Sequence, residues 1–156
     1  MSTAAVLREL KRLGTPQNAK IYRRHGARED VYGVSFGNLR PLARRLGPDQ
    51  AVALGLWESG NADARCLAAL VADPEALARE DADRWVADIS CYLHADLVGE
   101  LVARTPFALE ALDDWTRSRE ELRASDGLRR ARLRPPLRRA APVGRGVPPR
   151  AEAARA

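Results

Sequence analysis

SGNADARCLAALVADP, residues 59–74, is the stretch whose reading decides the fold. Ser59-Gly60 closes the segment before it, because glycine readily takes the left-handed backbone that ends a helix. Asn61 is a favourable helix cap, its side-chain oxygen able to accept from an amide of the first turn. Ala62 to Ala72 then places Ala64, Leu67, Ala68, Leu70 and Val71 around the helix, leaving little polar face, before Asp73-Pro74 restarts the chain. A helix apolar on nearly every side must be buried between neighbours, so the rest of the chain has to supply other helices.

Helix punctuation recurs on both sides. Upstream, Ser2 or Thr3 caps a helix with Val6, Leu7, Leu10 and Leu13 on one stripe, and Gly14 is placed to take the left-handed stop. Thr15-Pro16 starts a second helix that Gly26 ends after His25, so the first two helices read as a hairpin of helices. Beyond a connector with Val31 and Tyr32, Ser35 caps a third helix, Phe36, Leu39, Leu42 and Leu46 facing one way and Arg40, Arg44 and Arg45 another. Pro41 inside it predicts a kink or a start near Asn38. Gly47-Pro48 leads into a fourth helix with Val52, Leu56 and Trp57. Downstream, further helices are expected around Glu80 to Asp88, around Cys91 to Ala103, and from Thr105-Pro106 to about Arg117. Helix pairs repeating at roughly 25 to 40 residues, without strand-like alternation, read as an all-α solenoid over residues 1–126. Trp57, Trp85 and Trp115 sit at helical spacing and are most simply core.

The chain has 156 residues, enough for one domain with a core. It has no run of eighteen apolar residues, and its first helix is charged at Arg8, Glu9, Lys11 and Arg12, so neither a membrane span nor a signal peptide is expected. That predicts a cytoplasmic protein. Cys66 and Cys91 lie in apolar helical patterns and read as buried thiols. The net charge of +5 is unevenly spread. Residues 1–48 hold ten Lys or Arg against three acids, residues 49–126 seven against seventeen, and residues 127–156 nine against one. The basic first third is therefore the ordered surface suited to a polyanion, with Lys20, Arg23, Arg24, Arg44 and Arg45 as candidate contacts to a phosphate backbone.

At Gly127 the composition changes: Arg, Ala, Pro and Gly make up 24 of the last 30 residues, and five prolines break any helical period. Such a segment cannot bury enough surface to offset its ordering entropy, and it is expected to be disordered. It reads as a basic arm on phosphates, as a tail without a role, or as out-of-frame translation of a GC-rich gene that truncates a longer solenoid. The last reading is placed ahead, because no polar capping repeat is visible before residue 127.

The chain carries no phosphate-binding loop, dinucleotide fingerprint or zinc spacing; Cys91 and His94 form a C-x-x-H without a second pair, so no metal or cofactor is expected. The constellation that stands out is Tyr92 and Asp96, four residues apart on one helix face beside the inward stripe Leu93, Leu97 and Leu101. By themselves such residues are most simply a half-buried ring and a solvated carboxylate.

Resemblance gives them a role. Val31-Tyr32-Gly33-Val34-Ser35 to Leu39, Leu56-Trp57-Glu58-Ser59-Gly60-Asn61-Ala62-Asp63-Ala64-Arg65, Ala72-Asp73-Pro74, and Asp83-Arg84-Trp85-Val86 before Tyr92-x-x-x-Asp96, in that order and spacing, resemble the DNA alkylation repair family of HEAT-like repeat glycosylases. The resemblance implies a superhelix of helix pairs that cradles duplex DNA and excises positively charged N3- or N7-alkylated purines. It implies Asp96 as the catalytic carboxylate and Tyr92 as the ring against the damaged nucleotide, although the best-known members have tryptophan there. Active members also draw an Arg and a second Trp from later helices, which nothing after residue 126 matches. A non-catalytic HEAT-like scaffold that binds DNA or a protein is the alternative.

Overall fold

In the computed structural model residues 1–118 are described; the remainder of the expected domain to residue 126, and the tail from Gly127, lie outside the described residues. Seven helices follow one another: α1 Thr3–Leu13, α2 Pro16–Arg24, α3 Phe36–Leu46, α4 Gln50–Glu58, α5 Ala62–Val71, α6 Arg79–Ala87 and α7 Tyr92–Val102. Residues 108–118 are helical as well, and no strand occurs among the described residues.

The apolar helix opened by Asn61 is central. Asn61 accepts from the Ala64 amide at 3.1 Å, and Ala62, Ala64, Cys66, Leu67, Ala68, Ala69 and Val71 of α5 are all buried. Around α5 pack α4, α3 and α7, while α6 lies on α7. Asp49 caps α4 by accepting from Val52, and its own amide donates to Val71 at 2.8 Å, which ties the start of α4 to the end of α5. Trp57 of α4 and Trp85 of α6, both buried, stack with ring centroids 4.3 Å apart. Trp115 is partly buried, and its indole N–H donates to Asp83 at 2.7 Å.

Three local expectations are corrected. α1 and α2 do not form a packed hairpin: α1 lies on α4 and α5 through Val6 and Leu10. Gly14 is not left-handed but extended, with φ −70° and ψ 150°. What demands glycine there is a close approach, since a Cβ at Gly14 would stand 2.2 Å from the Tyr32 carbonyl oxygen. Nor does Pro41 delay α3, which begins at Phe36 and runs through it. Pro41 is exposed early in the helix, and the carbonyl it leaves unpaired belongs to Gly37, which is also exposed, so water can take the missing donor's place.

The connector between α2 and α3 is held from within. Asp63, fully buried on α5, accepts from the amides of Tyr32, Gly33 and Val34 at 2.7, 3.0 and 2.6 Å. The Tyr22 hydroxyl donates to the Val34 carbonyl, and the Thr15 amide donates to Gly33. Gly33 has φ +84°, and a Cβ there would meet the Thr15 carbonyl oxygen at 2.2 Å, so this turn admits glycine on both counts.

Candidate nucleic-acid interface

Tyr92 opens α7 and is half exposed, and Asp96 is exposed one turn further along the same side. Leu97 and Leu101 point inward as expected, with Leu93 partly buried, but the buried face is wider and includes His94 and Val98. The Tyr92 ring does not stand alone. It meets the His25 ring edge to face, centroids 4.9 Å apart and planes at 82°. His25 is the C-cap of α2, so the tyrosine stands at the end of the helix that carries Lys20, Arg23 and Arg24, all three exposed.

The other two basic residues differ from each other. Arg45 donates to Glu9 of α1 at 2.5 Å, so its charge is already engaged. Arg44 is exposed and lines a groove of about 350 Å³ together with Arg40 and Leu70. Arg40 and Leu70 also border a second groove, of about 500 Å³, whose far wall is Leu97, Glu100 and Arg104 of the α7 end. Arg40 and Arg104 thus line one groove, with Glu100 beside them. Arg40 was legible as part of the cationic face of α3, whereas Arg104 reaches the groove only through the packing of α7 beside α5.

Behind Tyr92 lies a polar cluster without a spacing signal. The Glu29 carboxylate, 12% exposed, accepts from the Ser90 hydroxyl at 2.8 and 2.7 Å and has Arg65 Nη1 at 3.5 Å. His94 is buried, with Nε2 3.1 Å from the Ala62 carbonyl oxygen and Nδ1 3.5 Å from Glu29 Oε1. Arg65 also donates to the Asp88 carbonyl, and the indole N–H of Trp57 donates to the Asp88 carboxylate at 3.1 Å. Burial by itself raises the Glu29 carboxyl, but hydrogen bonds from Ser90 and from the backbone of Glu29 and Arg28 outweigh it and hold the group below its usual range. Burial pushes the His94 imidazole down, only partly offset by the Ala62 carbonyl and Glu29. The lowered value favours the neutral ring, in which Nε2 carries the proton that reaches the Ala62 carbonyl. Its burial was legible as position i+1 of the Leu93, Leu97 and Leu101 stripe. Among the described residues no group of three or more His, Cys, Asp or Glu is arranged to hold an ion. Burial raises the Cys66 thiol far above its usual value, which keeps it an inert core group.

A neutral buried histidine has a signed consequence. Below the ordinary histidine value of 6.5 the unfolded chain takes up a proton that native His94 resists, so stability should fall as pH drops from 6.5 toward the lower native value. The slope contributed by this group approaches at most about 1.4 kcal/mol per pH unit. Glu29, depressed in the native state, adds a further loss only below its ordinary value of 4.5. Urea unfolding between pH 7.5 and 5 should show the decline in the parent chain and a flatter profile in His94→Gln. An equal decline in both would assign the titration elsewhere.

The succession of short packed helices is that of a HEAT-like repeat protein. The chain belongs to the DNA alkylation repair family: the family model described as DNA alkylation repair enzyme matches residues 6–128. An uncharacterized protein of Listeria innocua is 30% identical over 125 residues, covering 76% of this chain and 56% of that protein. Another, of Listeria monocytogenes, is 35% identical over 81 residues, covering 49% and 36% respectively. Among solved structures, one reported under the words "a new family of proteins related to the HEAT-like repeat DNA glycosylases with affinity for branched DNA structures" is 34% identical, with a TM-score of 0.71. The match covers 76% of this chain and 51% of that one, so the chain spans about half the length of the relatives it matches. Among the described residues no helix is long and apolar enough to cross a membrane.

Proposed function

We propose that this chain is a cytoplasmic DNA repair protein that grips duplex DNA along α2 and α3 and presents Tyr92 and Asp96 to a purine nucleotide made cationic by alkylation at N3 or N7. The observation that carries the reading is the docking of Tyr92 on His25. It makes the ring, the carboxylate one turn on and the cations of α2 parts of one surface rather than separate features of the sequence.

The chemistry follows from the substrate's own charge. An N3- or N7-alkylpurine leaves as a neutral base when the N-glycosidic bond breaks, so no strong general acid is required. The barrier is the oxocarbenium character that develops on the deoxyribose, and water adds at that carbon and gives up a proton. Asp96 opposes the developing cation and orients the water, and Tyr92 adds its negative ring face to the same field. An exposed carboxylate 4 Å from a unit charge contributes about 1 kcal/mol in bulk water and about 4 kcal/mol at an effective dielectric of 20. Seating the duplex against α7 expels water and moves Asp96 from the first regime toward the second. No deep pocket for an extruded base is needed, in contrast to enzymes that flip their substrate.

A second reading, a scaffold that binds DNA without cutting any bond, is favoured by the branched-DNA affinity stated for the structural relative. Both readings require a cationic footprint. Duplex affinity should fall steeply with salt, and each of Lys20, Arg23, Arg24 and Arg44 replaced by Gln should reduce the slope by about one, at about 0.9 per phosphate contact. Arg45→Gln should change it less, because Glu9 already holds that guanidinium. The nine arginines after residue 126 are common to all variants, so differences in slope isolate the helical residues. Salt-insensitive binding, or slopes unchanged by all four substitutions, would reject the footprint. Release of 7-methylguanine above the spontaneous rate separates the glycosylase from the scaffold.

A further inference from the structure

The start of α7 is not defined by its own sequence. Its N-cap, Cys91, makes no side-chain capping bond, and the hydroxyl one residue earlier, on Ser90, is spent on Glu29 instead. Glu29 lies just past the turn that ends α2. Around its carboxylate meet Ser90 and His94, which flank Tyr92, and Arg65 from α5. The two segments it joins touch along their backbones as well, since a Cβ on Gly26 would lie 3.2 Å from the Ser90 carbonyl oxygen. One of these segments carries His25 and the other Tyr92, and their rings meet at 4.9 Å.

We infer that Glu29 is a positioning residue: its carboxylate clasps the α2 turn to the first turn of α7 and so sets where the Tyr92 ring stands and, one turn on, Asp96. What that placement serves rests on the proposed function; how it is achieved does not. Asp63 already anchors the connector backbone from residue 32 onward, so Glu29 governs a smaller unit, the meeting of residues 25–29 with residues 90–94. In Glu29→Gln the amide can still accept from Ser90 but loses its charge toward Arg65, while Ser90→Ala removes the donor and leaves the charge.

The test uses the full chain. It holds two histidines, so the ring C–H proton signals of His25 and His94 are separable by NMR, and Tyr92→Leu identifies the part of the His25 shift that comes from the tyrosine ring. In both Glu29→Gln and Ser90→Ala the His25 signal should move at least halfway toward its position in Tyr92→Leu. Affinity for undamaged duplex should stay within about twofold, because the phosphate contacts on α2 and α3 are intact. Release of 7-methylguanine should slow by about ten- to a hundredfold, as expected when a reacting group is displaced by about an ångström. An unmoved His25 signal in both variants, with only a lowered melting temperature, would overturn the inference and leave Glu29 as a purely stabilising group. If the parent chain releases no base, the histidine signals still decide the role of Glu29, and only the glycosylase reading falls. Should Glu29→Gln fail to fold, the His25 signal in Ser90→Ala decides between the same two outcomes.

Discussion

Replacing Asp63 by alanine is expected to lower the stability of the chain by about 3–5 kcal/mol, a large share of the roughly 5–15 kcal/mol that holds a domain of this size. The carboxylate is fully buried and accepts from three consecutive amides, those of Tyr32, Gly33 and Val34. Its removal leaves donors without partners, each costing about 1–3 kcal/mol when water cannot reach it. Tyr32 is only partly buried, so water replaces one bond, and the expected total is below three full penalties. Asp63→Asn is the informative companion: its single oxygen can serve two amides at most and its NH₂ then faces the third, so an intermediate loss is expected. Urea denaturation followed by circular dichroism checks both. A loss below about 1 kcal/mol for the alanine variant would mean that the connector is held by its other contacts, Tyr22 to Val34 and Thr15 to Gly33.

Asp96→Asn should act on chemistry and leave the fold alone. Asp96 is exposed on α7, and asparagine keeps its shape while removing its charge. Release of 7-methylguanine from a methylated duplex under single-turnover conditions should slow by on the order of ten- to a thousandfold, the range for one electrostatic group lost at a cationic transition state. Duplex affinity should be unchanged or slightly higher, since a negative charge near phosphates has gone. Equal rates in the two proteins, both above the spontaneous rate, would make Asp96 a solvated surface carboxylate. The parent chain at the spontaneous rate would favour the scaffold.

These two acids also mark how far residues could be read without coordinates. The position of Asp96 was legible because helix faces are local: four residues from Tyr92 and beside the stripe of Leu93, Leu97 and Leu101, it shares one side with the tyrosine, and both are exposed. Asp63 carried no such signal. On a nearly apolar helix it stands in the first turn, where an acid is ordinary, and its partners are 29 to 31 residues away. Glu29 and Ser90 are 61 residues apart, and no periodicity links them.

The residues alone determined where several helices start, because caps act within one turn: Ser2, Thr15 and Asn61 each cap a helix as their side chains dictate. They also determined that α5 is central, since a helix without a polar face has no other place to go. Tertiary structure decided the partners. It laid α1 on α4 and α5 instead of α2, made Gly14 necessary through the approach of Tyr32, and engaged Arg45 with Glu9. It also brought Tyr92 onto His25 and Ser90 onto Glu29. The reason is physical: capping and amphipathicity are properties of neighbouring residues, whereas burying a carboxylate or docking one ring on another requires groups that only packing brings within hydrogen-bond or van der Waals range.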